Sequence, residues 1–193
     1  MARTIEFDRN EVLENAMNIF WQKGYSMTSV PDLVSVTKLN PGSIYSAFKS
    51  KEGLFLETLE FYGKRSVAHL KQCIENSGSP LEGIEKFLAG IVDKSEGIDK
   101  RGCLMVNTIL EMSSHNEKVQ AQAKQQLQSV EDELLKALLQ AQEDGELSAD
   151  KEPVALAKFL MVNIWGFRVL SKTNPDPKAA DLAFEQTLLL LRN

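Results

Sequence analysis

Residues 28–51 read TSVPDLVSVTKLNPGSIYSAFKSK, and three helix starts lie within them. Thr28 is placed to cap a helix from Ser29 to Thr37, where Pro31 is tolerated because a first-turn residue needs no amide donor. Asn40 caps a second, short helix with Pro41 at its first position, and Ile44, Tyr45 and Phe48 follow at helical spacing. Ser50 caps a third, long helix that carries Leu54, Phe55, Leu59, Tyr62, Val67 and Leu70. Two short helices joined by a few residues, the second opening on Pro41-Gly42-Ser43, make a helix-turn-helix pattern.

The chemistry of that second helix suits a nucleic-acid groove. Its N-terminal N–H groups are unpaired and its dipole favours phosphate and base acceptors. Gly42 permits close backbone approach and Ser43 donates or accepts. Ile44 and Phe48, four residues apart, are expected to pack back through Phe20 and Leu33, which turns Tyr45 and Ser46 outward. Tyr45 and Lys51 are then suited to phosphates, which fix register without reading sequence, as are Thr28 and Ser29. Ser43 and Ser46 are expected at base edges. Lys38 and Lys49 add positive charge, and no acid occurs between Leu33 and Lys51. Each residue also has a plainer use: Tyr45 and Phe48 as core aromatics of a bundle, the lysines as solvated charges.

Upstream, Asp8 caps a helix with Glu11 three residues on in a capping-box arrangement. Val12, Leu13, Ala16, Ile19 and Phe20 recur along it before Gly24 stops it. Downstream, Ser77-Gly78-Ser79-Pro80 is a break, followed by a helix from Leu81 to about Asp93. A short helix is expected from Gly102 to Ser113. Asn116 opens a long one whose apolar residues Val119, Ala123, Leu127, Val130, Leu134, Leu138 and Ala141 form one stripe, ending at Gly145. The helices from Pro153 to Lys172 and after Asn174-Pro175-Asp176-Pro177 are apolar on more than one side. A helix of that kind has to be covered twice, by its own core and by another subunit. Val169 and Phe184 are the expected partner-facing residues. No strand alternation, internal repeat or low-complexity linker is present.

The 193 residues include 22 basic and 27 acidic side chains, 2 His and 2 Cys, a composition that excludes disorder and fibrous repeats. The net charge of −5 is uneven: residues 1–51 hold six basic and five acidic groups, leaving 16 basic and 22 acidic for the remainder. An acidic bulk of this kind orients a locally basic end toward DNA. Lys158, Asn163 and Arg168 interrupt the longest apolar stretch before it reaches the roughly 18 residues of a membrane span. The polar start Met1-Ala2-Arg3-Thr4-Ile5-Glu6 reads as no secretory signal, so a soluble, cytoplasmic protein without a membrane partner is expected. So few His, with Cys73 and Cys103 thirty positions apart, point to no metal, no cofactor and no disulfide framework.

The run from Phe7 to Phe55, with Ala16, Phe20, Gly24-Tyr25, Thr28-Ser29-Val30, Gly42-Ser43-Ile44-Tyr45, Phe48 and Ser50-Lys51-Glu52, resembles the N-terminal domain of TetR/AcrR-type transcriptional regulators. It covers about a quarter of the chain. The resemblance implies a three-helix DNA-binding domain, a larger helical effector-binding and dimerisation domain, and release from operator DNA on effector binding. Lys38 departs from the family, which usually has Gly in that turn; a left-handed Lys costs on the order of 1 kcal/mol relative to Gly.

The expected fold is therefore all-α: a helix-turn-helix domain over residues 1–51 and a helical bundle that dimerises over 52–193. The expected function is an effector-responsive regulator, a repressor acting as a homodimer on a palindromic, double-stranded operator. Phe61, Tyr62, Phe87, Met105, Met112, Phe159 and Phe167 are first of all core residues. They are also the candidates to line an apolar effector cavity beside the long fourth helix, with Asn107, Thr108 and Asn163 as polar anchors. Cys103 follows Lys100-Arg101-Gly102 at a helix start, where cations and the dipole favour thiolate, whereas burial makes it an inert packing residue; both readings stay open. Cys73 is expected to be inert, His69 a surface residue and His115 a loop or helix-end residue. Two other classes compete: a helical thiol-dependent enzyme using Cys103, and a helical adaptor that binds protein instead of DNA.

Overall fold

The computed structural model describes residues 7–92, 101–112, 116–173 and 177–192. Among the described residues the chain forms nine helices and no strand. Met1–Glu6, Lys100, His115 and Asn174–Asp176 lie outside that range, and so do the expectations placed on them.

α1 (Arg9–Lys23) starts at Asp8, whose carboxylate accepts the Asn10 and Glu11 amides, and stops at Gly24, where φ is +82°. α2 (Val30–Thr37) begins one residue later than a Thr28 cap predicts, because Ser29 is the cap. Ser29 has the better partner three residues on: its hydroxyl accepts the Asp32 amide while the Asp32 carboxylate accepts the Ser29 amide, two orphan donors satisfied reciprocally. α3 (Pro41–Phe48) is capped by Asn40, which accepts the Ser43 amide at 2.8 Å. At the head of α4 (Lys51–Glu75), the Ser50 hydroxyl accepts the Gly53 amide at 2.9 Å. α5 (Pro80–Val92), α6 (Leu104–Glu111), α7 (Glu117–Glu143), α8 (Pro153–Thr173) and α9 (Pro177–Arg192) follow. Asn116 caps α7 as expected, its side-chain oxygen accepting the Val119 amide at 3.0 Å.

The chain divides into two compact units that do not follow a boundary after residue 51. One comprises Met1–Gly63 with Leu104–Gln126; the other comprises Lys64–Cys103 with Leu127–Asn193. In the first, α1 packs on α2 and α2 on α3. Its core includes Val12, Ala16, Phe20, Leu33, Ile44, Phe48, Leu54, Phe55 and Leu59, all buried, the larger side chains each worth about 1.5–3 kcal/mol of transfer free energy. The rings of Phe20 and Phe55 lie 4.7 Å apart, and Tyr25 lies 4.9 Å from Phe55. Leu104, Met105, Thr108, Met112, Val119 and Ala123 are also buried.

In the second unit α5 packs on α8 and α9 around Leu70, Ile84, Leu88, Leu134, Leu138 and Leu160. Ala157, Leu160, Met161, Ile164 and Phe167 form the buried face of α8, whereas Val154, Phe159, Val162, Trp165 and Val169 are exposed. Phe184 is half-buried and packs against the core of this unit. A correction concerns the polar interruptions of α8. By length and composition alone Pro153–Leu170 suffices to cross a membrane, because one ammonium and one guanidinium do not outweigh so many apolar neighbours. A third of that stretch is buried within the fold, and Lys158 pairs with Glu131 at 3.1 Å.

Candidate nucleic-acid interface

The exposed start of α3 is built by its flanks. Ile44 and Phe48 are buried, leaving Pro41, Gly42, Tyr45 and Ser46 exposed and Ser43 half-exposed. A Cβ at residue 42 would stand 3.3 Å from the side-chain oxygen of Asn40, so a larger residue would press on the cap. At the far end, a Cβ at residue 53 would overlap the Phe48 carbonyl oxygen. Gly53 thus lets the first turn of α4 close against the end of α3.

Among the described residues, the non-glycine residues with positive φ are Lys38 and Lys49. Lys38 ends α2 in the left-handed region, φ +60° and ψ +9°, as the sequence reading allowed, and Lys49 ends α3 at φ +69°. Each ammonium turns back on its own helix, Lys38 to the Ser35 carbonyl at 2.7 Å and Lys49 to the Ser46 carbonyl at 3.3 Å. A cation there complements the negative end of the helix dipole.

Lys51 sits differently from a free phosphate ligand. Its ammonium lies 4.4 Å from the centre of the Tyr25 ring. Burial pushes it below the usual lysine value, while the charges of Glu111 and Asp32 act in the opposite direction. The Tyr25 phenol is raised, first by burial and then by the Glu52 charge. Asp32 is held well below the usual carboxylate range, first by its bond from Lys23 at 2.7 Å and then by the Ser29 amide and hydroxyl.

Thr28 is not available to a phosphate. It is 1% exposed, and its hydroxyl donates to the Gly24 carbonyl at 2.6 Å. The turn after α1 folds that hydroxyl inward, which corrects the expected surface role; Ser29 remains exposed.

The expected effector-lining residues are divided between the two units. Phe61, Tyr62, Met105, Thr108 and Met112 belong to the first unit, Phe87, Phe159, Asn163 and Phe167 to the second. Phe159 is exposed, contrary to an interior role, because α8 turns it away from its buried face. The two polar anchors described in detail are engaged locally: the Thr108 hydroxyl donates to the Leu104 carbonyl, and the Asn163 amide donates to the Phe159 carbonyl. Asn163 also accepts from Thr187 on α9 at 3.4 Å. Cys103 is buried beside Gly102 and Leu104. Burial pushes the Cys73 thiol up, consistent with an inert side chain.

Sequence reasoning missed the groups that brace this interface. Arg9 pairs with Glu57 and stacks 4.5 Å from the centre of the Phe48 ring. Glu111 accepts two amides from the turn after α1. Asn116 donates to Glu52 at 2.7 Å. Of these only Asn116 carries a local signal, its position before a helix.

The family pattern described as "Bacterial regulatory proteins, tetR family" matches residues 12–58, and that described as "Tetracyclin repressor-like, C-terminal domain" matches residues 80–187. The HTH-type transcriptional repressor ComR of Escherichia coli is 32% identical over 86% of this chain and 80% of its own length. The uncharacterized HTH-type transcriptional regulator YezE of Bacillus subtilis is 28% identical over 91% of this chain and 92% of its own. Among solved structures, a cysteine-substituted variant of the TetR family regulator CifR, complexed with a 26-bp double-strand operator DNA, superposes with a TM-score of 0.85 at 28% identity, covering 98% of this chain and 100% of that one. With its C-terminal pattern spanning more than half of its length and its N-terminal pattern covering the helix-turn-helix, the chain belongs to the TetR family of transcriptional regulators.

Proposed function

We propose that this regulator is a homodimeric repressor that reads operator DNA with the exposed start of α3 and leaves it when a small molecule binds the larger helical part of the chain. The observation that carries the DNA contact is the acid-free run from Leu33 to Lys51, in which Pro41, Gly42, Ser43, Tyr45 and Ser46 face solvent between Lys38 and Lys49. Tyr45, Lys49, Lys51, Ser29 and Lys38 take phosphates, and Ser43 and Ser46 approach base edges. The proteins named as repressors among the relatives, and the operator complex of CifR, support this reading.

Dimerisation is supported by where apolar surface is left. Of the large apolar side chains exposed among the described residues, Val154, Phe159, Val162, Trp165, Val169, Leu182, Leu189 and Leu190 all lie on α8 or α9. Apolar surface concentrated on two helices is covered by a second copy, and two-fold pairing sets half-sites about one helical turn or a multiple apart. For the effector, the buried aromatic and Met residues favour a small, partly hydrophobic molecule. Cys103 is 8% exposed, which favours packing over sensing. A DNA-binding role of this kind fits a cytoplasmic protein and needs no catalytic step.

The test is selection of operator fragments from genomic DNA by the purified protein, followed by titration against salt. Lys51→Ala should weaken all duplexes about equally and lower the salt slope by about one unit, while Ser46 substitutions change base preference at one position per half-site. Equal operator affinity of wild type and a Tyr45→Ala/Lys51→Ala variant would rule the assignment out.

A further inference from the structure

The turn between α1 and α2 is held partly from within, by the Thr28 hydroxyl on the Gly24 carbonyl, and partly from α6. The Tyr25 amide donates to one carboxylate oxygen of Glu111 at 3.0 Å and the Ser26 amide to the other at 2.7 Å. Glu111 is the last residue of α6, some 86 positions along the chain. A Cβ at residue 24 would stand 2.8 Å from the oxygen that takes the Tyr25 amide, so the bare Gly24 backbone, at φ +82°, makes room for the carboxylate. Tyr25 in turn packs at a tilt against Phe55 and carries the Lys51 ammonium above its ring. The carboxylate therefore sits one side chain away from a cation proposed above to meet phosphate.

A second anchor is Asn116, five positions further along the chain. Asn116 caps α7 with its oxygen and donates its amide to Glu52, in the first turn of α4, while Gln120 donates to the Met112 carbonyl at 3.0 Å. Glu111 and Asn116 thus grip the α1–α2 turn and the start of α4 respectively, all within one compact unit. Bonds from two amides to one carboxylate are charge-assisted and directional. They specify where the turn sits, where an apolar contact would only bury it.

We propose that Glu111 is a positioning residue for operator recognition, its carboxylate holding the α1–α2 turn and, through Tyr25 and Lys51, the register of the recognition helix on DNA. The proposal rests on the DNA-binding reading above. It assigns α6 a direct part in the DNA-binding unit, beyond the residues 12–58 matched by the N-terminal family pattern.

Glu111→Gln keeps one acceptor, turns an N–H₂ toward the other amide and removes one negative charge near Lys51. Its affinity for the operator fragment selected by the wild-type protein should fall about tenfold. Its affinity for an unrelated duplex should stay level or rise, because non-specific binding follows charge. Leu110→Gln, at a neighbouring residue 68% exposed, should leave both unchanged. Hydrogen exchange should show the Tyr25 and Ser26 amides protected in the wild type and released in Glu111→Gln. Unchanged operator affinity overturns the proposal, and so does an equal loss on both duplexes with a lowered melting temperature, which marks simple destabilisation. If Glu111→Gln does not fold, amides of Tyr25 and Ser26 exchanging at open-loop rates in the wild type overturn it, and protected ones support it. A wild type that selects no DNA overturns the DNA-binding reading itself and this proposal with it.

Discussion

Arg9 and Glu57, 48 positions apart, meet through a two-nitrogen bridge: Nε lies 3.1 Å from Oε2, and Nη2 lies 2.7 and 2.6 Å from the two carboxylate oxygens. The same guanidinium lies over Phe48, the last residue of α3. One side chain thus joins α1, the end of α3 and α4. Partly exposed ion pairs contribute about 0.2–1 kcal/mol and exposed cation–π contacts about 0.5–1 kcal/mol. Arg9→Ala is expected to cost about 1 kcal/mol in urea denaturation, with a coupling of about 0.5 kcal/mol in the cycle with Glu57→Ala. No coupling would reduce the bridge to a coincidence of surface rotamers.

Lys38 sets stability against DNA affinity. Its left-handed backbone costs about 1 kcal/mol, and a glycine's extra freedom in the unfolded chain takes back about half of any relief. Lys38→Gly is expected to raise stability by about 0.5 kcal/mol while lowering the salt slope of operator binding by about one unit. A slope equal to wild type would remove Lys38 from the phosphate contacts and leave only the strain.

Asp32 makes the cap of α2 resistant to acid. Its folded pKa is depressed by Lys23 and Ser29, below the unfolded value of about 3.9. The cap therefore stabilises fully above that value and is lost as pH falls below it toward the folded pKa. NMR titration should find the Asp32 carboxyl still ionised where ordinary aspartates are half protonated. Asp32→Asn should flatten the acid limb of the stability curve, and an Asp32 midpoint in the ordinary range would refute the geometry of the cap.

Val162, 63% exposed on α8, tests the dimer more cleanly than Phe184, which packs on its own core. Val162→Glu is expected to give monomers by light scattering with an unchanged helical circular dichroism spectrum and weakened operator binding. Dimers that persist with Glu at Val162, Val169 and Leu182 together would place the interface elsewhere.

The caps at Asp8, Asn40, Ser50 and Asn116, and the stop at Gly24, were legible in the sequence because a cap satisfies a backbone group a fixed few residues away. The outward turn of Tyr45 and Ser46 was legible for the same reason, since Ile44 and Phe48 define the buried stripe by spacing alone. Thr28 was misread by one position: both it and Ser29 are good caps, and only the reach of Asp32 chooses between them.

Tertiary structure alone decided the rest. α8 is apolar nearly all round, so its pattern does not say which side is covered; the packing of α5 and α9 against Leu160 and Ile164 is what leaves Val162 and Trp165 outside. The partners of Arg9 and of the Tyr25 and Ser26 amides were equally hidden among 27 acidic side chains. Hydrogen bonds within a helix or cap recur at set offsets, whereas Glu57 and Glu111 reach their partners through the angles at which whole helices pack, and no local spacing encodes those angles.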